Sequence, residues 1–212
     1  MINFGIDFES KNRLLSGSVE YYQKKGLDLI GKASLDPTIG YSVGGRNEFI
    51  GNNSALKGQG LDIQLNINKT FGKVGWTAQL LYSKATNKIT RYEYKSSSLS
   101  TYFSSVATPV PGNPRYSIYS LKWAGLAPQT GDPQIYLNGA ITKDYASVLS
   151  KLTLEDLTCN GSALPTHFGS LRNSFRYGDF TLGFNISYKF GYFFRRPSLS
   201  YSALFSTWTG HK

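Results

Sequence analysis

The chain has 212 residues, a net charge of +10, a mean hydropathy of -0.28, 40% hydrophobic residues and 15% aromatic ones. That apolar content excludes a disordered chain, and the absence of any run of roughly 20 apolar residues excludes a transmembrane helix. Lys and Arg are scattered (Lys24-Lys25, Arg91, Lys95, Arg172, Arg176, Arg195-Arg196), with no dense basic helix or aromatic-basic RNA motif, so no nucleic-acid partner is expected.

Period-two alternation dominates the chain. Ile2, Phe4, Ile6 and Phe8 alternate with Asn3, Gly5, Asp7 and Glu9, predicting a strand over 2–9. After a turn at 10–12, Leu15, Gly17, Val19 and Tyr21 mark a second strand over about 13–22. The stretch 23–59, rich in Gly, Asn and Ser, reads as loop. Leu61, Ile63, Leu65 and Ile67 define a third strand over 60–71. A turn at 72–75 leads to a fourth over 75–87, with Trp76, Ala78, Leu80 and Tyr82 on one face and Leu81 breaking the polar one. Residues 88–113 read as a second loop. Fifth and sixth strands are predicted over 115–123 and 133–138, joined by a turn-rich connector. Residues 140–167 form a third loop, with a short helix near 144–157. A seventh strand covers 168–177. The eighth, 180–194, has Phe180, Leu182, Phe184, Ile186, Tyr188 and Phe190 on one face and small or polar residues on the other.

These eight strands are joined alternately by short and long connections, the pattern of transmembrane β-barrels with short periplasmic turns and long extracellular loops. The best strands reach the 9–11 residues that a tilted strand needs to cross a bilayer. Tyr21, Trp76, Tyr82, Trp123, Tyr188 and Tyr192 lie toward strand ends and form a candidate interfacial girdle. The expected class is therefore all-β: an antiparallel transmembrane β-barrel segment of about eight strands, occupying residues 1–212, with outer-membrane lipid against its outer face. Counting directions puts both chain ends on the long-loop side, so strands are expected before residue 1 and after residue 212. The start, Met1 to Gly5, has neither a basic n-region nor an apolar h-region and reads as no leader.

The connector Trp123-Ala124-Gly125-Leu126-Ala127-Pro128-Gln129-Thr130-Gly131-Asp132-Pro133 resembles the Trp-x-Gly-Leu-Asp-Pro-x-Thr-Gly-Asp-Pro signature of the SusC/RagA family of TonB-linked outer-membrane proteins, with Ala127 where the family usually has Asp. Residues 3–22, 53–65 (through Gly58-Gln59-Gly60-Leu61-Asp62) and 165–190 resemble further hairpins of that barrel. The resemblance implies a late, incomplete part of a large plugged barrel. It implies import of glycans or peptides with a SusD-like lipoprotein partner, driven by TonB through a part outside this chain.

Little chemistry of catalysis is visible. His167 and His211 sit in loop sequence, and no His/Cys/carboxylate cluster has zinc spacing, so no metal or cofactor is expected. Cys159 reads as a bystander thiol. Glu155-Asp156 and Asp132 are the nearest carboxylates to an acid/base pair, and they read as solvated turn residues; the expectation is that the chain is not an enzyme. Gly44-Gly45 and Gly58-Gln59-Gly60 lack the P-loop Lys-Ser/Thr and read as turn glycines. Tyr41, Phe49, Tyr102, Phe103 and Tyr145 either stack on sugars or pack the loops. Two rivals predict different structures. A soluble β-sandwich binding carbohydrate packs its apolar faces together. A complete small eight-stranded barrel closes its first strand on its last.

Overall fold

The computed structural model describes residues 1–36, 38, 48–94, 99–106 and 108–196. In chain order its elements are β1 (Ile2–Glu9), β2 (Leu15–Ser34), β3 (Glu48–Phe71), β4 (Val74–Tyr92), α1 (Ser100–Ser104), β5 (Ser117–Leu121), β6 (Trp123–Leu126), β7 (Pro133–Leu137), β8 (Ala140–Thr142), α2 (Tyr145–Lys151), β9 (Leu157–Ser162), β10 (His167–Tyr177) and β11 (Phe180–Phe190). All sheets are antiparallel. One has six strands in the order β1-β2-β3-β4-β10-β11; β5-β9 and β6-β7-β8 form two small ones.

Register decides what the six-stranded sheet is. Residues directly opposite each other across antiparallel strands share a face. Phe8, Gly17, Leu65, Leu80, Leu171 and Ile186 form one continuous row across all six strands. The next row is Ile6, Val19, Ile63, Tyr82, Gly169 and Tyr188. Alternate rows are polar: Glu9, Ser16, Asn66, Gln79, Arg172 and Asn185 form one of them. The alternation within each strand is thus the edge view of a sheet with one apolar face and one largely polar face. Leu81 and Phe168 fall on the polar face.

Two tight turns carry a glycine in the left-handed region, Gly72 (φ 58°) and Gly178 (φ 57°), as short connections of the β3–β4 and β10–β11 hairpins require. Two other glycines make room. Phe8 lies over Gly17, and Tyr188 lies over Gly169 and donates its hydroxyl to the Leu81 carbonyl at 2.9 Å. A Cβ on Gly169 would collide with that carbonyl oxygen and with the Tyr188 hydroxyl. This is a ring laid across a strand glycine, a device that fixes register. Gly169→Val is expected to destabilise the sheet by roughly 1–3 kcal/mol through overpacking. The check is a lower unfolding midpoint than for Gly183→Ala, where the only atom near an added Cβ is the Asn173 carbonyl oxygen at 3.7 Å.

Several sequence expectations are corrected. Most of 23–59 is strand: β2 and β3 pair from Leu15–Ile67 out to Ser34–Glu48. The Gly, Asn and Ser that suggested a loop serve the irregularities of this ladder. At the register shifts between Gly26 and Ile30, the Ser54 hydroxyl donates to the Leu29 carbonyl at 2.8 Å, and the Asn53 amide donates to the Lys32 carbonyl. Gly58-Gln59-Gly60 lies inside β3, where Tyr22 packs over Gly60, and is not a turn. β4 likewise continues to Tyr92 into the expected second loop, while β11 stops at Phe190 short of 194. The fifth and sixth predicted strands exist as β5 and β7 but lie outside the wall. Among the described residues the expected eight-strand wall therefore has six strands. The short connector at 124–131 is not a turn at the short-turn end; it belongs to the segment between β4 and β10. The expected helix near 144–157 is present as α2 followed by a 3-10 turn, Leu154–Asp156.

Among the described residues β1 and β11 do not pair with each other, so the sheet is open at both edges and lacks the closure expected of a complete small barrel. Phe4, Ile6, Phe180 and Leu182 are 68%, 71%, 82% and 68% exposed, so among the described residues no second sheet covers this apolar face as in a sandwich.

Candidate functional site: a two-faced wall and its cap

On the apolar face, rings cluster near both ends of the strands. At the short-turn end Phe71, Trp76, Phe175 and Phe184 form a chain of stacked rings, with centroids 6.3–6.4 Å apart. The Trp76 indole donates to Asn173 Oδ1 at 3.1 Å, which accounts for a buried Asn in an apolar row. At the opposite end Tyr82 Oη and His167 Nδ1 lie 2.7 Å apart, and Tyr188 stacks on Phe190. Of the expected girdle, Tyr21, Trp76, Tyr82 and Tyr188 share this face, and Tyr192 follows β11. Trp123 does not; it lies in the small β6-β7-β8 sheet, 60% exposed. From Phe180 to Phe190 the strand rises about 34 Å, which at a tilt of about 40° gives a band about 26 Å tall, close to the apolar belt of outer-membrane barrels.

The segment between β4 and β10 folds into a cap with its own core. Tyr102, Val110, Tyr119, Ile135, Val148, Leu152 and Leu157 are buried together, with Phe103 and Cys159 packed against them. The cap joins the wall where β10 leaves off. Ala85 donates to the Thr166 carbonyl, and the next stretch of β4 bonds to 112–115 through Ile89–Asn113, Gly112–Ile89 and Arg115–Asn87. The chain after β11 returns to it. Arg195 donates to the carbonyls of Tyr119 (2.7 Å) and Tyr102 (3.2 Å), and Phe193 donates to that of Ser162.

The connector that carries the family resemblance is a structured turn of this cap. Gly131 donates to the Ala127 carbonyl and Ala127 to that of Asp132, while Gly125 and Gly131 both have positive φ. Asp132 accepts from Thr130 Oγ1 at 2.5 Å and from Lys143 Nζ at 3.1 Å; these hold its carboxyl below the usual range. Asp156 accepts from the Thr153 hydroxyl (2.7 Å), the Thr153 N–H (2.9 Å) and the Asn138 N–H (2.8 Å). It thereby ties the 3-10 turn before β9 to the tight turn at Asn138, whose φ is 50°.

These bonds, led by the Thr153 hydroxyl, lower the Asp156 pKa. The folded value lies below the unfolded one, so the stabilisation is complete above about pH 4 and is lost as pH falls through the folded value. Asp156→Ala is expected to destabilise the cap by roughly 1–2 kcal/mol at pH 7 and to flatten this acid dependence, read by hydrogen exchange of 133–162.

The other sequence candidates separate by location. His167 pairs with Tyr82. Tyr102 and Phe103 belong to the cap core; Tyr145 and Phe49 are 52% and 44% exposed, with the Tyr145 hydroxyl donating to the Pro133 carbonyl. Tyr41, Gly44-Gly45 and His211 lie outside the described residues. Glu155 and Asp156 share the 3-10 turn, while Asp132 sits at the foot of β7. Among the described residues no three His, Cys, Asp or Glu gather as a metal site, and no helix is long and apolar enough to cross a membrane. The sequence missed a face above the apolar rows where Gln23, Gln59 and Thr86 align, and then Lys25, Lys57 and Lys88. Its lysines are distant in sequence, and only register joins them.

Fold and site together define an open antiparallel β-wall with one apolar face, one polar face and a folded cap on its long connections. No family model matches the chain, and no curated protein does. Among solved structures it is similar to a chain of the RagAB peptide importer in its closed-closed state, with a TM-score of 0.68 and 17% identity over 90% of this chain and 21% of that one. It is also similar to a chain of the RagAB peptide transporter, with a TM-score of 0.65 and 18% identity over 88% of this chain and 20% of that one. The chain thus spans about a fifth of the length of these transporter chains and shares their fold over that span.

Proposed function

We propose that this chain supplies wall strands and outer loops of a TonB-linked outer-membrane transporter of the SusC/RagA type. The observation that carries the reading is the register that joins apolar residues of six strands into continuous rows, exposed at β1 and β11 and half-buried between. An apolar surface of that extent is a liability in water and a requirement in lipid. The likeness to RagAB chains supports it, as does the connector at 123–133.

In this reading the apolar face meets outer-membrane lipid. The polar face, with Asp62, Gln64, Asn66, Arg172 and Asn185, lines the lumen, and the short turns at 72–73 and 178–179 face the periplasm. The cap stands outside. Its exposed Trp123, Leu126 and Ile141 offer apolar contact to a SusD-like lipoprotein. The cargo is a peptide or a glycan, and the RagAB likeness favours peptide. Energy arrives from TonB through parts of the assembly other than this wall. The role is passive and needs no catalysis: Asp132 and Asp156, the carboxylates nearest to such chemistry, are engaged in holding the cap.

The test is fractionation followed by uptake. The protein is expected to remain with outer membranes after a carbonate wash. Cells lacking it are expected to lose uptake of fluorescent oligopeptides to the same extent as TonB-deficient cells. Recovery as a folded monomer in the aqueous fraction would overturn the reading.

A further inference from the structure

Lys25, Lys57 and Lys88 stand side by side on three neighbouring strands, in one row of the apolar face. The row below it is Gln23, Gln59 and Thr86. These six residues, with Lys24, Gly58 and Asn87 of the intervening row and Gly112 and Pro114 of the cap, line a shallow cleft of roughly 580 Å³. Like charges placed directly opposite each other in a sheet repel. Among the described residues none of the three lysines has a carboxylate within ion-pair distance, although Lys32, Arg91 and Lys143 do. Three cations held together with hydrogen-bonding amides beneath them call for an anion.

The position of the cleft says which anion. Lys25, Lys57 and Lys88 lie four residues beyond Tyr21, Leu61 and Lys84, which share one row, so the lysine row stands about 13 Å along the strands past the Tyr21–Leu61 row and about 20 Å past the row of Tyr82. Lys84, between Tyr82 and Thr86 on the same face, adds charge nearer the band. Apolar rows, then tyrosines, then amides and lysines form the sequence of layers that acyl chains, interface and phosphorylated head group present in reverse.

We infer that this shelf binds the phosphorylated head group of a lipid in the leaflet at the long-loop end, so that lipid is a specific ligand of the outer wall. The inference rests on the membrane-wall reading above. Its chemistry is that of lysine ammonium groups against phosphate oxygens, with Gln23 and Gln59 supplying amide hydrogen bonds to the adjoining sugar or glycerol oxygens.

The experiment uses the protein purified from outer membranes and placed in phosphatidylcholine nanodiscs. These contain a phosphorylated glucosamine lipid, its dephosphorylated form, or neither, and native mass spectrometry counts retained lipid. The wild type is expected to retain the phosphorylated lipid selectively. Removing all three charges in K25Q/K57Q/K88Q is expected to weaken retention roughly a hundredfold, from the attraction that each lysine near an anionic surface supplies. Lys73→Gln, in the short turn between β3 and β4 at the far end of the strands, is expected to leave it unchanged. Equal retention of both lipids, or no effect of the triple change, would overturn the inference and leave the wall reading intact. Displacement by inorganic phosphate at the same concentration as lipid would assign the shelf to free anions and overturn it as a lipid site. Failure to recover the protein in membranes would overturn both readings.

Discussion

Leu80→Arg is expected to destabilise the wall by about 2–4 kcal/mol, the cost of an Arg at the midplane on the lipid face of an outer-membrane barrel. Leu80 sits in the central apolar row, between Leu65 and Leu171. Gln79→Arg, one residue away, is expected to be close to neutral. Gln79 lies between Asn66 and Arg172 on the polar face, and its one cost is the neighbouring like charge. The two variants carry the same added charge at nearly the same height, so helix or strand propensity and net charge cancel in the comparison. Urea unfolding in lipid vesicles reads the difference. Equal destabilisation by both would mean that the two faces meet the same solvent.

Tyr119→Ala is expected to unfold the cap and spare the wall. Tyr119 is 2% exposed, meets Tyr102 edge to face at 5.6 Å and receives a hydrogen bond from Asn113 at 2.9 Å. Truncating such a ring costs about 3–5 kcal/mol, which is comparable with the total stability that a core of this size supplies. The wall does not depend on it: its ladders run from β1 to β4 and from β4 through β10 to β11 without a cap residue. Limited proteolysis is expected to cut within 93–166 in the variant, leaving 48–92 and 167–190 protected. Cleavage spreading at the same rate into β3 and β4 would show that wall and cap fold as one unit.

The wall was legible in the sequence because alternation is a local property. Phe180 to Phe190 shows its two faces within a single strand, and the tight turns at 72 and 178 fix their hairpins. What was not legible depended on pairing. Gly26 to Ser34 and Glu48 to Gly58 read as loop because Gly, Asn and Ser disfavour strands. Yet each segment is the ladder of the other, and Asn53 and Ser54 satisfy the carbonyls that the register shifts leave open. The strands near 117–121 and 133–137 were visible, but nothing local says that they fold into a cap and not the wall. That follows from β4 pairing with β10 across more than seventy residues of chain. Tyr102 and Tyr145 looked alike in sequence; only packing separates a buried core ring from an exposed one. Asp156 was visible as a carboxylate, but its role needed the turn at Asn138 to come beside it.

The two faces of this sheet are expected to look into different solvents, and β11 reads the difference most directly. Single cysteines in a Cys159→Ser background, at Phe180, Leu182, Phe184 and Ile186 and at Thr181, Asn185 and Ser187, would carry nitroxide labels in membrane-embedded protein. Collision rates with oxygen and with a water-soluble nickel chelate report lipid against water. Alternation with period two is expected: oxygen-dominated at 180, 182, 184 and 186, and the reverse ratio at 181, 185 and 187. A uniform profile along the strand, or nickel access at every position, would contradict it.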